Sequence, residues 1–338
     1  MAKTSGLFGG FPFDSDVFTG YMSERDPINS KLIESGIVVP APSGVSGQIT
    51  TKNNYVTIPF YTAFEGDALN YDGKTDNTPV ALSGSKMSGM AYRRMKAWSE
   101  DDFTHELTGA NDLANVASKI GSYQAKQNQK TLLNILKGLE GVTAFASHVN
   151  DVALDADTEV LDANRITADS AQVAMQTALG DHMDEFSVWF MHSAVYLDLV
   201  RQGFANDVTI KSGIQTVDPF ARFFLGKPVI IDDTMTAVAN GTSNKTEYHT
   251  YLCGTGLLMT CPVRIDVPNY VDYDAETNGG QTSLYSKWGR LMHPYGFSFA
   301  NTSVEESPTN AEFADESMWS MKYDTKNIAL VAFVSNVK

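Results

Sequence analysis

Cysteine is nearly absent. The 338 residues include two, Cys253 and Cys261, and a single Cys-x7-Cys pair builds neither a disulfide framework nor a common zinc or redox motif. A reducing compartment fits. Long apolar runs are also missing: the longest, residues 328–334, falls far short of the roughly 20 residues that cross a bilayer as a helix, so no membrane partner is expected. The opening stretch MAKTSGLFGGFPFDSD is broken by Gly, Pro and Asp, which excludes a secretory signal, and the triplets at Asn240, Asn244 and Asn301 then read as chance rather than as glycosylation sites. Positive charge is scarce as well. With 25 Lys+Arg against 40 Asp+Glu the net charge is −15, which argues against a general polyanion binder, because phosphate contacts need clustered cations. No internal repeat is present.

What remains is a chain able to fold. Hydrophobic residues are 43% and charged residues 19%, with 18 Phe and 14 Tyr, and the length suits two domains or one elaborate one. Residues 1–48 read as an arm, since eleven Gly and Pro residues from Gly6 to Gly47 interrupt every short apolar stretch, leaving only 29–34 for a short helix. Its rings, Phe8, Phe11, Phe13 and Phe18, need cover from the chain's own body or from another subunit. Val56, Ile58 and Phe60 alternate with Tyr55, Thr57 and Tyr61, the period of a strand, and Pro59 marks an edge. A second alternating segment, 90–98, follows a polar, Gly- and Ser-rich stretch, so the two predict a long hairpin that rests on something else.

Apolar residues from Leu113 to Leu139 recur at three- and four-residue spacings without a proline, predicting a helix over 111–139 about 40 Å long. Its middle, 124–129, is polar and is expected on a surface. A second helix is expected over 163–183, a buried strand over 186–191, and a helix from an N-cap at Ser193 to Gln202 that Gly203 ends. Short strands follow at 229–231, 248–253, 257–261, 263–267, 297–300 and 328–334. The class is α+β with a central mixed sheet.

Candidate chemistry is thin. Ser193 sits at a strand-to-helix turn, as a hydrolase nucleophile does, but Met191 and Val195 stand where the elbow requires glycine, and a helix cap is the better reading. His182 and His192 lack a carboxylate at ligand spacing. Asp72-Gly73-Lys74-Thr75 ends like a phosphate loop, yet Ala68 replaces its first glycine. Asp155, Asp157 and Glu159 open like a calcium loop in which Val160 replaces the glycine. Asp232 and Asp233, neighbours at a strand end, point to opposite faces and read as a turn. Cys253 and Cys261 read as small buried apolar groups. The compact basic cluster Arg93, Arg94 and Lys96 is either a solvated face or a source of ion pairs to a neighbouring subunit. No catalytic, cofactor or metal site is expected.

The order arm, hairpin, long helix, α/β segment, closing strands resembles the major capsid proteins of tailed bacteriophages with the HK97 fold. The likeness is carried by Met90-Ala91-Tyr92-Arg93-Arg94-Met95-Lys96-Ala97-Trp98, by Trp189-Phe190-Met191-His192-Ser193-Ala194-Val195-Tyr196 with Leu199, by 226–233 (GKPVIIDD) and by 293–297 (HPYGF). The resemblance implies an N-terminal arm at 1–48, an extended E-loop hairpin at 49–105, a peripheral domain with the spine helix at 106–160, an axial domain at 161–284 and a return to the peripheral domain at 285–338.

Its function would be structural: a head protein with no enzyme activity and no cofactor, assembling as a homo-oligomer into pentamers and hexamers of an icosahedral shell around double-stranded DNA, without sequence-specific binding. It would be made in the host cytoplasm and reside in the virion. Met1 directly precedes the arm, so a separate scaffolding protein is expected, with portal and maturation factors. Phe8, Phe11, Phe13, Phe60, Arg93, Arg94 and Lys96 are the candidate intersubunit contacts. The covalent subunit link of some family members is not expected from any motif around Lys74 or Lys86. The alternatives are an encapsulin-like nanocompartment shell, a serine hydrolase using Ser193, and a tail-tube protein, which the long helix disfavours.

Overall fold

A computed structural model describes residues 5–8, 11–14, 35–49, 54–62, 66–74, 76, 84–102, 112–154, 156–207, 222–300 and 307–338. The expected short helix at 29–34 and the ring of Phe18 lie outside these residues.

The centre is the strand Phe186–Met191, whose alternation sends Val188 and Phe190 to one face and Trp189 and Met191 to the other. It runs parallel to Lys227–Ile231 and antiparallel to Thr246–Gly254, which pairs in turn with Leu330–Ser335. Shorter strands extend this to an eight-stranded mixed sheet. On one face lies the long helix Asp112–Glu140, with Leu132, Leu133, Ile135, Leu136 and Leu139 buried against Val188, Phe190, Tyr251 and Leu330. On the other, Ala168–Leu179 and Ser193–Arg201 cover Trp189, Leu252, Val331 and Phe333. Both faces of the sheet are thus dry.

Several expectations need correction. The helix foreseen over 163–183 is α-helical only at Ala168–Leu179, because Thr167 caps it and Gly180, at φ 60°, turns the chain into a short 3-10 stretch. The cap of Ser193–Arg201 is His192, whose ring nitrogen accepts the Ala194 N–H at 3.1 Å; Ser193 is the first helical residue. The polar middle of the long helix is not a solvated face. Asn128 and Gln129 are buried: Asn128 accepts from the Tyr92 hydroxyl, Gln129 donates to Asp232, and Gln124 donates to Ser286. Polar side chains there tie the helix to strands that sequence periodicity cannot see. Residues 263–267 form no strand.

The second sheet has six strands, Val38–Pro40, Leu258–Pro262, Gln281–Pro294, Gly84–Asp101 and Tyr55–Tyr61 in order, with Asn269–Asp274 also on Gln281–Pro294. The hairpin register differs from expectation. Tyr55–Tyr61 pairs with 84–90, while 91–101 of the same long strand pairs with Gln281–Pro294. The long strand therefore changes partners between Met90 and Ala91. The hairpin base packs Val56, Ile58 and Met87 on Met259, Cys261 and Leu291. The hairpin Asn269–Asp274/Gln281–Pro294 was not foreseen, although Asn278-Gly279, both at positive φ, is the turn signal for it.

Candidate assembly surfaces

The arm residues Ser5–Phe8 and Phe11–Asp14 form a small antiparallel ribbon with Phe8 opposite Phe11, and Phe13 opposite Gly6. Across the body, the hairpin exposes Tyr55, Tyr61 and Tyr71, the last completely, while Gly66–Lys74 is open to solvent throughout. Phe60 sets its ring edge-on to Tyr323 of its own chain at 4.8 Å.

Strand alternation sets Arg94 and Lys96 on one face and Arg93 on the other, and distant partners divide the cluster further. Arg94 faces inward over the Tyr92 ring and donates to Asn310 at 3.0 Å, and its burial lowers its pKa. Arg93 donates to Asn54 at 2.7 Å. Lys96 is exposed, with no partner among the described residues. Structure thus assigns two of the three cations a role inside the subunit, and leaves Lys96 open.

The groups that suggested chemistry are placed as structural elements. The Ser193 N–H and hydroxyl both bond Asp233, which holds that carboxyl below its usual range, and the His192 ring is occupied as the cap. His182 lies at the opposite end of the strand Phe186–Met191, about 20 Å away at strand rise. The partner of the Ser193 hydroxyl is therefore the Asp233 carboxylate, and no histidine among the described residues bonds it. Asp232 is buried and bonded by Gln129 and Thr234, whereas Asp233 is exposed. Cys253 and Cys261 are buried, and burial raises both thiols. At the helix end, Glu140 accepts from the Tyr251 hydroxyl and contacts the His249 ring at 2.9 Å, closing the long helix onto the central sheet. No group of metal-ligating side chains occurs among the described residues, and none of their helices is long and apolar enough to cross a membrane.

The fold as a whole recurs in solved phage heads. The chain is similar to the capsid of cyanophage Pam1 with a TM-score of 0.60 at 9% identity, covering 94% of each chain. It is similar to the capsid of Ralstonia phage GP4 with a TM-score of 0.58 at 10% identity, again covering 94% of each. These likenesses define the class by fold: α+β and HK97-like.

Residues 60–332 match the family described as Gp13-like, major capsid protein 13-like, and the chain belongs to that family. It is also 26% identical over 327 residues to the major capsid protein of Bacillus phage SPP1, covering 94% of both chains. The protein is accordingly a major capsid protein of a tailed phage, a structural component of the virion that forms homo-oligomeric capsomers, and not an enzyme. The hydrolase and nanocompartment alternatives find no support.

Proposed function

We propose that the subunit tiles into pentamers and hexamers of an icosahedral shell through elements that leave its own body. The observation that carries this reading is the change of partners at Met90 and Ala91: half of one strand belongs to the peripheral sheet and half to a projecting hairpin with exposed tyrosines. A rigid strand continuous from core to projection transmits the body's position to whatever the hairpin touches. In this reading 1–48 is the arm, 49–105 the E-loop, 106–160 and 285–338 the peripheral domain, and 161–284 the axial domain at the capsomer centre. Phe8, Phe11, Phe13 and Phe60 supply apolar contact area between subunits; Lys96, beside Arg93 and Arg94, supplies register.

The shell encloses double-stranded DNA without gripping it, since a chain of charge −15 offers few cations to phosphate. A scaffolding protein, a portal and maturation factors are separate partners, because identical subunits that meet at small angles need an external guide to close at one size. Synthesis is in the host cytoplasm. Electron microscopy of the full chain, expressed with and without a scaffold, tests the reading. Closed particles are expected; a compact, protease-resistant monomer at every concentration refutes it.

A further inference from the structure

A strand at a sheet edge presents unpaired backbone groups, and proteins blunt such edges with proline, shortness or side-chain caps. The edges of this chain can be compared on that basis. The outer edge of Tyr55–Tyr61 is blocked twice. Ala91 donates to the Asn54 carbonyl, which fixes the alternation so that Thr57 and Pro59 turn outward. Pro59 has no N–H to offer. The Gln48 amide covers Thr57, donating to its carbonyl at 2.8 Å and accepting its N–H at 2.9 Å. The edge strand Val38–Pro40 is three residues long and ends in proline, and Val149–Asp151 and Ala205–Asp207 are equally short.

Asn269–Asp274 has neither the proline nor the shortness of those edges. It is six residues long, free of proline and bulge, and exposed at every position. Lys287 donates to the Pro268 carbonyl at 2.7 Å, so Tyr270, Asp272 and Asp274 bond the neighbouring strand while Asn269 and Val271 turn their N–H and C=O away from the sheet. Neither has a backbone partner among the described residues. The outer side chains include Tyr270, 54% exposed, and Val271, 51% exposed.

We propose that this edge pairs antiparallel with the same edge of a second copy across a two-fold axis, joining two peripheral sheets into one. The inference rests on the capsid reading and adds to it a specific contact. Homo-oligomeric assembly supplies the occupant, a second copy, and charge selects the register. Facing residues in such a pair share a face, so a two-fold sets one residue opposite its own mate. With Val271 opposite Val271, residues 269–273 overlap, Tyr270 faces Asp272, and no carboxylate meets another. A step towards the C-terminus sets Asp272 against Asp272, a like-charge pair directly across the ladder. A step the other way shortens the overlap to 269–271, with Pro268 stopping the ladder. An isologous pair of this kind closes on itself and suits a shell built from repeated two-folds.

Two variants of the full chain, co-expressed with its scaffold, test the contact beside the wild type. In Val271→Pro an outward donor is lost while the bonds to the neighbouring strand stay, as edge strands tolerate. Its capsomers should form and its closed particles fall at least ten-fold in yield, with the subunit's melting midpoint little changed. In Val271→Cys the new thiol faces its mate at about 5.5 Å between Cα atoms, within disulfide reach, and the two native cysteines are buried. Oxidised particles should run as dimers, and no larger species, on a non-reducing gel. Closure of the proline variant at wild-type yield overturns the proposal, and so do monomers from oxidised cysteine particles, the result expected if another head protein holds this edge. If the proline variant fails to fold, the cysteine result decides. Wild-type chain that never closes would instead count against the capsid reading itself.

Discussion

Gly138, in the last third of the long helix, is the position where an ordinary stabilising substitution should reverse sign. A Cβ there would lie 2.2 Å from the Phe313 carbonyl oxygen and 2.8 Å from Trp319 Nε1. Those two atoms are joined by a buried hydrogen bond of 2.9 Å, so the helix backbone is pressed directly against it. Alanine in a helix interior is normally worth about 0.5–1 kcal/mol over glycine. Against that, overpacking costs about 1–3 kcal/mol. A buried donor and acceptor pushed apart cost about 1–3 kcal/mol more. Gly138→Ala should therefore lose about 1–5 kcal/mol net. Gly121 of the same helix is exposed with nothing within 4 Å of a Cβ, so Gly121→Ala should gain about 0.5–1 kcal/mol. Urea unfolding of the isolated subunit reads both: fluorescence follows the four tryptophans, Trp319 among them, and far-UV circular dichroism follows the helices. The Gly138→Ala midpoint should fall by on the order of 1 M and that of Gly121→Ala should rise. A Gly138→Ala midpoint at or above wild type would refute close contact between helix and Phe313–Trp319; equal losses in both variants would show that the effect is not local.

Three further outcomes are expected. Burial pushes His293 down to about 4, while an unfolded histidine titrates near 6.5. The unfolded chain thus binds the proton first, so subunit stability is full above about pH 6.5 and falls as pH drops towards 4, by about 3 kcal/mol. His148, lowered by burial, acts in the same direction, and His293→Gln should flatten the slope between pH 7 and 4.5; an unchanged slope sinks this account. Arg165→Met strands the Asp198 carboxylate, 3% exposed, which Arg165 holds through two hydrogen bonds of 2.5 and 2.8 Å. The loss should be about 3–5 kcal/mol, most of it recovered in Arg165→Met/Asp198→Leu, and a double-mutant cycle without coupling would contradict it. A fluorophosphonate probe should leave Ser193 unlabelled in the native subunit, and Ser193→Ala should still form particles. Native-state labelling that disappears on unfolding would reopen the hydrolase alternative.

The strands Tyr55–Tyr61 and Phe186–Met191 and the long helix were legible because each announces itself by a local period. Boundaries set by one glycine or one cap were less so: Gly180 ends a helix that periodicity alone carried on to Met183. The strands Asn269–Asp274 and Gln281–Pro294 were missed because the exposed polar alternation of the first resembles a loop and the second buries alternate faces against different partners. The Asn278-Gly279 turn was the available signal. Among the candidate contacts, Arg94 could not be told from Lys96 by sequence. Both lie in one strand, and only the short helix Asn310–Phe313, more than 200 residues away, separates a tethered guanidinium from an ammonium with no side-chain partner among the described residues.

Composition and period by themselves determined an acidic α+β chain without membrane span or disulfide framework, with a long helix, an alternating hairpin arm and no complete catalytic motif. Those properties depend on residues near one another along the chain. Tertiary structure alone decided that one strand serves both hairpin and body, that Asn128 and Gln129 in the polar middle of the helix are buried, and that one sheet edge is blocked by Gln48 and Pro59 while another runs six residues without a proline. Each depends on which distant segment supplies the partner for a backbone group, and a pairing of that kind leaves no period in the sequence to read.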